Sequence, residues 1–427
     1  MTSEPAHSQC RRKNGVFLLH WRWMVIAGLM LAGLALAVPL VWPKKQPEHE
    51  GPIVVWTFEQ PESGAMISAP AVDAEHIFLS AVRDNVLAPS GVVYCLDRRH
   101  GTLRWKFDDD GKMRQTISSP CLSDGRLYVG EGMHGNEVCH LYCLDAASGE
   151  KLWQFVTGGH IESSPCVADG AVFFGSGDDG LYCLDAVNGR KRWQFAGRWH
   201  IDVSPVVVNG RLYAGSAVSQ LHRTTEIFCL DAASGEPLWR TPTELPVWGS
   251  PAVHGDQVFF GTGNGRLTRS AEPPEKPTGA LVCADAATGR LCWPPVHFSD
   301  ALFGQPVVDA ERVYFGTREG RCCALDRRDG RRLWQADLGS PVVTRPAVAD
   351  GCLVVVASGG QIACLDAGSG QVVWTFDLAG HTQTRPQLLA SPLIVQEAEE
   401  KGRRLIYFGS ELKNAVRSAA VFYCLRD

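Results

Sequence analysis

Ionisable side chains recur at fixed distances before a proline that opens each copy of a repeated segment. A histidine stands five residues before three of these prolines, a carboxylate three residues before two of them, and an arginine immediately before two others. Carboxylates and imidazoles supply acid, base or cation-binding groups, and guanidinium groups hold anions. With a glutamine and a tryptophan at the same aligned positions, the candidate binding residues are His160, His200, His381, Glu162, Asp202, Arg345, Arg385, Gln305 and Trp248.

The repeated segment has the pattern of a small antiparallel sheet. A typical copy begins with an apolar run, passes through a turn to an aromatic run ending in glycine, and finishes with a third run, a tight turn and a tryptophan; the first turn is Asp-Gly or Asn-Gly in four copies. Short β-branched and aromatic runs separated by such turns predict four strands joined as hairpins. The opening prolines recur about every 45 residues, at Pro70, Pro120, Pro165, Pro205, Pro251, Pro306, Pro346 and Pro386.

Eight such copies predict an all-β fold, an eight-bladed β-propeller of four-stranded antiparallel blades over residues 53–427. One four-stranded sheet cannot bury both of its faces, so units of this period stack radially. The eighth copy reads VFYCLRD where the others continue to a tryptophan strand, and residues 53–58, IVVWTF, supply the missing strand. The N-terminal strand is therefore expected to close the last blade and remove the free edges of the ring.

A tryptophan is predicted to dock each blade on the next. Seven of these tryptophans end the pattern small-x-Asp-x-x-x-Gly-x-x-x-Trp, and the eighth copy departs from it, with Arg426 where Asp is expected. The Asp can bond its own backbone, the Gly can take a positive φ, and the ring brings roughly 150 to 250 Å² of surface to the seam. The docking residues are Trp56, Trp105, Trp153, Trp193, Trp239, Trp293, Trp334 and Trp374.

This pattern resembles the tryptophan-docking repeat of the pyrroloquinoline-quinone (PQQ) propeller superfamily over residues 53–427. That superfamily includes calcium- and quinone-dependent alcohol and sugar dehydrogenases, the non-catalytic BamB-type outer-membrane assembly factor and many membrane-anchored repeat proteins. The resemblance implies the fold and leaves the activity open. In the dehydrogenases, long insertions between blades build a closed pocket with Glu, Asn and Asp around the metal. Here no Asn stands at the aligned positions, and about 45 residues per blade leave little for insertions.

Different classes of function are compatible with the resemblance. The favoured hypothesis is a membrane-anchored, non-enzymatic scaffold that binds protein partners and needs no cofactor. The alternative is a PQQ- and calcium-dependent alcohol or sugar dehydrogenase, in which calcium polarises the quinone and an Asp acts as base. An unrelated ligand sensor or enzyme is a third possibility. BamB is a lipoprotein, and no cysteine lies near the end of the apolar run here, so the assembly role itself is not carried over.

The aligned candidates are expected near one mouth of the propeller channel, because the first strand of each blade lines that channel. Acidic members fall on the third and fourth copies and basic members on the seventh and eighth, which lie opposite each other in an eight-fold ring. The hypothesis is a polarised funnel in which the arginines hold an anion and the carboxylates and histidines act as acid, base or cation-binding groups. The alternative is a set of solvated charges without a ligand. Ser391-Pro392 offers a second possible opening of the eighth copy.

The fifteen cysteines are expected to be mostly buried free thiols. Equivalent positions on neighbouring blades lie about 10 Å apart, whereas a disulfide needs Cα atoms within roughly 7 Å. Cys322 and Cys323 are adjacent, as in the vicinal disulfide of the quinone-dependent alcohol dehydrogenases, but Cys323 takes the strand position of Tyr142. No cysteine spacing fits haem attachment or zinc, so no metal site is predicted. Seven cysteines fill the small first position of the docking pattern, namely Cys95, Cys143, Cys183, Cys229, Cys283, Cys364 and Cys424.

Residues 24–42 form an uncharged apolar run, close to the length of about 20 residues that spans a bilayer. Four basic residues precede it, which predicts a cytoplasmic segment at 1–23, a transmembrane signal-anchor helix at 24–42 and a linker at 43–52. The expected location is the cytoplasmic (inner) membrane, crossed once, with the propeller on the extracytoplasmic, periplasmic side. A cleaved signal peptide is the alternative, because Ala35-Leu36-Ala37 has the form that signal peptidase accepts.

The charge balance argues against a nucleic-acid partner. The chain has 41 Lys and Arg residues against 46 Asp and Glu residues, a formal net charge of −5. Such a balance gives no basic footprint for a polyanion. The expected partners are therefore the membrane, through the N-terminal helix, and one or more proteins.

Overall fold

The structure, a computed structural model, describes residues 51–84, 88–197, 199–267, 269–397, 403–414 and 418–427. The segment predicted to be cytoplasmic, the apolar run at 24–42 and most of the linker lie outside the described residues. Within the described part of the chain, no helix is both long and apolar enough to span a membrane.

The fold is all-β, with thirty-three strands and one short helix among the described residues. Six four-stranded antiparallel sheets follow one another in chain order, and each uses its strands in sequence order. We number them sheets 2 to 7 after the copies of the repeat that form them. The first and eighth copies form a nine-stranded sheet, which we call the joined sheet.

The strands of the six regular sheets have the following bounds. Sheet 2 contains β6 (Cys121–Ser123), β7 (Arg126–Gly130), β8 (Cys139–Asp145) and β9 (Lys151–Thr157). Sheet 3 contains β10 (Cys166–Ala168), β11 (Ala171–Gly175), β12 (Leu181–Asp185) and β13 (Lys191–Phe195). Sheet 4 contains β14 (Val206–Val208), β15 (Arg211–Gly215), β16 (Glu226–Asp231) and β17 (Pro237–Pro242). Sheet 5 contains β18 (Ala252–His254), β19 (Gln257–Gly263), β20 (Gly279–Asp285) and β21 (Val296–Phe298). Sheet 6 contains β22 (Val307–Val308), β23 (Arg312–Gly316), β24 (Arg321–Asp326) and β25 (Arg332–Asp337). Sheet 7 contains β26 (Ala347–Ala349), β27 (Cys352–Val356), β28 (Gln361–Asp366) and β29 (Val372–Asp377).

The joined sheet brings the two ends of the repeat together. Its strands from the start of the chain are β1 (Ile53–Ala65), β2 (Ala71–Val72), β3 (His76–Arg83), β4 (Ser90–Asp97) and β5 (Leu103–Phe107). Its later strands are β30 (Arg385–Gln387), β31 (Leu393–Gln396), β32 (Arg404–Lys413) and β33 (Ser418–Arg426), which follow helix α1 (Leu378–Thr382). Residues 53–59 pair antiparallel with β33, as the sequence predicted for IVVWTF, and the far end of β1 pairs with β3.

Tight turns join the first two strands of the regular sheets. In sheet 2, Asp124 and Gly125 both have positive φ, 49° and 71°, and Asn209 and Gly210 repeat this in sheet 4 with 51° and 71°. Two consecutive positive φ values are the mark of a type I′ turn, which Asp-Gly and Asn-Gly favour and which matches the twist of a hairpin. The predicted hairpins are therefore present.

Each glycine of the docking pattern lies under the tryptophan of the preceding copy, and this contact docks the tryptophan on the next blade. A Cβ on Gly149 would lie 2.6 Å from the Trp105 ring, so only glycine fits there, and its φ of 77° is one that glycine adopts without strain. Trp105 also donates its Nε1–H to the carbonyl of Ala146 at 3.1 Å. Asp145 accepts backbone N–H groups from the residues two and three further on, which fixes the turn.

Trp374 is the exception among these rings. It is buried, yet its Nε1–H has no hydrogen-bond partner among the described residues. In the eighth copy Arg426 replaces the turn Asp, and the following carbonyl, of Asp427, accepts the Arg404 N–H at 3.3 Å. The seam between the seventh and eighth copies therefore lacks the hydrogen bond that the regular seams have.

The hydrophobic core is divided among the seams. One cluster packs Leu141 and Cys143 of sheet 2 against Val172 and Phe174 of sheet 3, and comparable clusters join the other neighbouring sheets. The cysteines of the docking pattern are buried, and all of them except Cys364 are free thiols, as predicted. Burial raises the pKa of the Cys143 thiol to about 12.

The prediction of a free thiol was wrong for Cys364. It forms a disulfide with Cys352, and their Cα atoms lie 6.0 Å apart on the adjacent strands β27 and β28 of one sheet. Equivalent positions on neighbouring blades are too far apart for a disulfide, but diagonal positions on paired strands within one sheet are close enough to bond.

The two ends of each sheet are built differently. In a four-stranded antiparallel sheet, the turns after the first and third strands lie at one end, and the connections after the second and fourth strands lie at the other. We call the first the docking end, because it carries the Asp-x-x-x-Gly turns, and the second the loop end. Every candidate binding residue that directly precedes a first strand lies at the loop end.

Candidate functional site

The residues before the opening prolines contact one another from sheet to sheet. Ala69 donates its backbone N–H to Ser119 Oγ at 2.9 Å, and Ser119 donates in turn to Ser164 Oγ at 3.0 Å. Ser164 continues the series to Ser204 Oγ at 2.8 Å. Since the first strands of these neighbouring sheets are also in contact, the proline alignment is confirmed for the first four copies.

The alignment of the eighth copy on Pro386 was wrong. Arg345 donates its backbone N–H to Ser391 Oγ at 3.0 Å, which is the same contact as in the earlier copies. β31, which begins just after Ser391, contacts β26 of sheet 7 as a first strand does. The second possible opening, at Ser391-Pro392, is therefore the correct one. α1 and β30 are an insertion ahead of it, and Arg385 lies on that insertion.

The basic residues of the predicted funnel lie at the surface of the seventh and eighth copies. Arg345, Arg385 and His381 are all solvent-exposed, and His381 lies on α1 with its ring 5.4 Å from that of Phe376. Desolvation lowers the pKa of the Arg345 guanidinium, although the residue as a whole is exposed. Among the described residues, neither arginine forms an ion pair with the predicted acidic side chains.

Trp248 and Gln305 make structural contacts at the loop end. Trp248 donates its Nε1–H to the carbonyl of Gly263 at 3.0 Å, and its ring centroid lies 5.4 Å from that of Phe303. The Arg318 guanidinium covers the Phe303 ring at 5.1 Å, in the geometry of a cation–π contact. Gln305 donates to the carbonyl of Pro251 at 2.7 Å, which joins sheets 5 and 6.

The acidic half does assemble, around three histidines. The side-chain ligand atoms of His134, His160, His200 and Asp202 all lie within 4.8 Å of one another, and we call these four residues the histidine cluster. Asp202 stands at the centre. Its carboxylate lies 3.0 Å from His160 Nε2, 2.7 Å from His200 Nε2 and 3.4 Å from His134 Nε2.

Two further carboxylates contact the cluster from outside. Glu162 Oε1 lies 2.7 Å from His134 Nδ1 and also accepts the His134 backbone N–H at 2.8 Å. Asp178 Oδ1 lies 2.8 Å from His200 Nδ1, and the Ser219 hydroxyl donates to it at 2.7 Å. Both imidazoles are therefore held by a carboxylate on the Nδ1 side, and both direct Nε2 towards Asp202.

Connections at the loop end position these groups. His160 and Glu162 lie between β9 and β10, and His200 and Asp202 lie between β13 and β14. The β7–β8 loop contributes His134, so sheet 2 and the connections into sheets 3 and 4 meet at one point. His160 and His200 are only 6% and 1% exposed, whereas the His134 side chain is 53% exposed.

Opposite charges dominate the electrostatics of the cluster. The hydrogen bond with Glu162 raises the pKa of His134 to about 9, because it stabilises the imidazolium. Desolvation disfavours the charged form of His200, but hydrogen bonds with Asp202 and Asp178 outweigh it, so the pKa of His200 is also raised. Desolvation likewise disfavours the Asp202 carboxylate, and its bonds to His160 and His200 overcome this and lower its pKa.

The proline alignment found His160, His200, Glu162 and Asp202 but missed His134 and Asp178. Both missed residues lie between the second and third strands of a sheet, outside the positions counted back from the prolines. One signal in the sequence could have indicated His134. The segment EGMHGNEVC makes the second copy longer at this connection than the third, which has only SGDDG there.

These residues do not fit a calcium–quinone site. Calcium takes oxygen ligands, whereas three of the four groups that converge here are imidazole nitrogens. Cys322 and Cys323 are free thiols, buried in two different core clusters on opposite faces of β24. A vicinal disulfide facing a cofactor is therefore not formed.

The chain resembles known proteins in sequence and in fold. The family model described as outer membrane protein assembly factor BamB matches residues 89–216, 196–272 and 277–417. The crystal structure of BamB from Moraxella catarrhalis superimposes with a TM-score of 0.60 at 17% identity, covering 87% of this chain and 97% of that one. Quinohemoprotein alcohol dehydrogenase from Comamonas testosteroni gives a TM-score of 0.65 at 13% identity, covering 89% and 77%.

Among curated proteins, 1-butanol dehydrogenase (cytochrome c) from Thauera butanivorans is 33% identical over 82 residues. That match covers 19% of this chain and 12% of the dehydrogenase. At 17% and 13% identity, the two structural matches establish the fold alone. The family model covers well over half of the chain. The protein therefore belongs to the family described as outer membrane protein assembly factor BamB, within the PQQ-like β-propeller superfamily.

Proposed function

We propose that the protein is a non-enzymatic β-propeller scaffold that binds another protein at the outer side of the cytoplasmic membrane. The observation that carries the proposal is the extent of the family match. The BamB model matches three ranges that together span most of residues 89–417, whereas the 1-butanol dehydrogenase match covers 19% of the chain. The side chains of Cys322 and Cys323 are buried in two different core clusters, which also supports a protein without a quinone site. The three imidazoles of the histidine cluster support the same proposal, because calcium requires oxygen ligands.

The outermost strands supply a surface suited to a protein partner. β9 is the last strand of its sheet and exposes Leu152 and Val156, which are 47% and 52% exposed. On β29, Val372 and Val373 are 53% and 40% exposed. Exposed aliphatic side chains on a strand with a free edge are a recurrent feature of surfaces that bind an extended segment of another protein.

In vivo photo-crosslinking tests this surface. A photoreactive amino acid at Leu152 or Val156 is expected to give the same discrete adduct, because both side chains lie on one face of β9. The control is the same amino acid at Asp124, an exposed turn residue at the docking end. No adduct at either outer-strand position, or equal adducts at Asp124, would contradict the proposal.

The ring is proposed to have eight blades. In this arrangement the joined sheet counts as two, with β2–β5 forming the first blade and β31, β32, β33 and the start of β1 forming the last. Docking of Trp56 on Gly101 supports it, since this contact matches the regular seams. Deleting residues 53–58 is then expected to open the ring and lower the melting temperature, and an unchanged melting temperature would count against closure by this strand.

Residues 24–42 are proposed to anchor the protein, with residues 1–23 in the cytoplasm. Fractionation of cells, followed by mass spectrometry of the mature N-terminus, tests this. The expected result is an intact N-terminus in a membrane fraction that alkaline carbonate does not extract. A new N-terminus just after Ala37 would show that the run is a signal peptide.

The alternative function is a PQQ- and calcium-dependent dehydrogenase. Calorimetric titration of the full chain in detergent with PQQ and Ca²⁺ separates the two functions. The scaffold predicts no saturable heat and no thermal shift. One-to-one binding at micromolar affinity would overturn the scaffold and make oxidation of alcohols and sugars the next assay.

A further inference from the structure

We propose that the histidine cluster binds one divalent transition-metal ion of the zinc type, through the Nε2 atoms of His134, His160 and His200 and one carboxylate oxygen of Asp202. This inference is independent of the scaffold function. The same ion would join sheet 2 to the connections that lead into sheets 3 and 4.

The distances between the ligand atoms carry the proposal. A tetrahedral zinc with bonds of about 2.0 to 2.1 Å separates its ligand atoms by about 3.3 Å. In the cluster, His134 Nε2 lies 3.2 Å from His200 Nε2 and 3.4 Å from Asp202 Oδ2. His160 Nε2 lies 3.0 Å from Asp202 Oδ1. All four ligand atoms lie within 4.8 Å of one another, so shifts of up to about 1.5 Å would bring them to the spacing of a tetrahedral zinc site.

The outer contacts are those of a metal site. A histidine that binds a metal through one ring nitrogen usually donates from the other to a carboxylate, which orients the ring and increases its basicity. Glu162 does this for His134, and Asp178 does it for His200. Asp178 is itself held by the Ser219 hydroxyl. Two of the three histidines thus have the supporting carboxylate that a metal site requires.

The same hydrogen bonds leave a place for a cation. When His134 and His200 each donate from Nδ1, their neutral Nε2 atoms present lone pairs to each other across 3.2 Å. Without a metal ion, a proton on Nε2 relieves the repulsion between these lone pairs, and a bound ion would displace that proton. The Asp202 carboxylate, at 2.7 Å from one of these atoms and 3.4 Å from the other, adds negative charge at the same point.

The chemistry of the ligands selects the ion. Imidazole nitrogens suit Zn²⁺, Cu²⁺ and Ni²⁺, whereas Ca²⁺ and Mg²⁺ require oxygen ligands. Four protein ligands fill a tetrahedral shell, which is typical of a structural zinc site. The expected effect of the ion is therefore to hold three loop-end connections together.

Metal titration of the full chain in detergent, after treatment with a chelator, tests the site. We expect one Zn²⁺ per chain by calorimetry and elemental analysis, no heat with Ca²⁺, and a higher melting temperature when Zn²⁺ is bound. His200→Ala and Asp202→Asn are expected to weaken Zn²⁺ binding at least about 100-fold. His297→Ala, which changes an exposed histidine on β21, is the control and should bind as the wild type does.

Two variants keep the test decisive if removal of a buried ligand unfolds the protein. His134→Ala changes a half-exposed loop residue, and Glu162→Gln keeps the shape of its side chain while weakening the support of His134. With circular dichroism unchanged, His134→Ala should weaken binding strongly and Glu162→Gln by about 10- to 100-fold. Less than one ion per chain in the wild type, or full binding in both variants, would overturn the proposal.

Discussion

The docking end and the loop end of the sheets use the repeat in opposite ways. At the docking end the same turn, glycine and tryptophan recur. A Cβ added to Gly149, Gly235 or Gly370 would lie 2.6–2.7 Å from the tryptophan ring of the preceding copy. At the loop end the connections differ from copy to copy, and only those of sheets 2 to 4 build the histidine cluster. The residues that recur at the docking end pack one sheet against the next. The connections that differ at the loop end bring together the residues of the candidate site. Substitutions at the two ends should therefore affect different properties.

The largest effect is expected from a side chain placed under a docked ring. In Gly370→Ala, the new Cβ would meet the Trp334 ring at 2.6 Å in a backbone with a φ of 73°. Overpacking and left-handed strain together predict a loss of about 2–4 kcal/mol in the free energy of unfolding, measured by urea denaturation.

Gly351→Ala is the matched control for this change. Gly351 has nearly the same φ, 72°, but no atom lies within 4 Å of its Cβ position. We expect it to cost only the strain, about 1 kcal/mol. Equal losses in the two variants would mean that the docking contact adds nothing to stability.

A smaller effect distinguishes the regular seams from the last one. Trp334 donates its Nε1–H to the carbonyl of Ala367 at 3.0 Å, whereas Trp374 has no such partner among the described residues. Replacing either tryptophan with Phe removes the N–H and part of the ring, but only Trp334→Phe breaks a hydrogen bond. Trp334→Phe should therefore be the more destabilising by about 1 kcal/mol in the same assay. An equal loss of free energy of unfolding in Trp374→Phe would contradict the difference between the two seams.

The smallest effect on stability is expected at the loop end. His134 is half-exposed on a connection, and its contacts there are polar. Without metal, His134→Ala should lower the free energy of unfolding by less than about 1 kcal/mol, because His134 is half-exposed and solvent screens its pairs with Glu162 and Asp202. A loss above 2 kcal/mol in metal-free protein would show that the loop end is also a stability element.

Much of the fold could be predicted because the same pattern of strands and turns recurs along the chain. The spacing of prolines and tryptophans predicted the four-stranded sheets, the strand at residues 53–58 that pairs with β33, and the position of the tryptophans at the seams between copies. Register within a hairpin follows from local turn chemistry, so no long-range information is needed for it.

The candidate site was predicted only in part. Alignment on the prolines grouped His160, His200 and Asp202, and the structure brings these three residues together; each stands a fixed number of residues before the opening proline of its own copy. It misplaced Arg385, since α1 and β30 interrupt the eighth copy before Ser391. It also could not find His134, which joins the cluster from a loop of irregular length in another sheet.

The sequence by itself determined the repeat unit, its turns, its docked rings and the membership of the chain in a propeller superfamily. These features depend on contacts within one copy or between consecutive copies, and the period of the chain fixes such contacts. Only the tertiary structure decided which side chains meet between sheets, including the approach of His134 to Asp202 and the bond between Cys352 and Cys364. Those contacts depend on the curvature of loops and the diagonal spacing of paired strands, and a distance of a few ångströms there separates a binding site from unrelated surface charges.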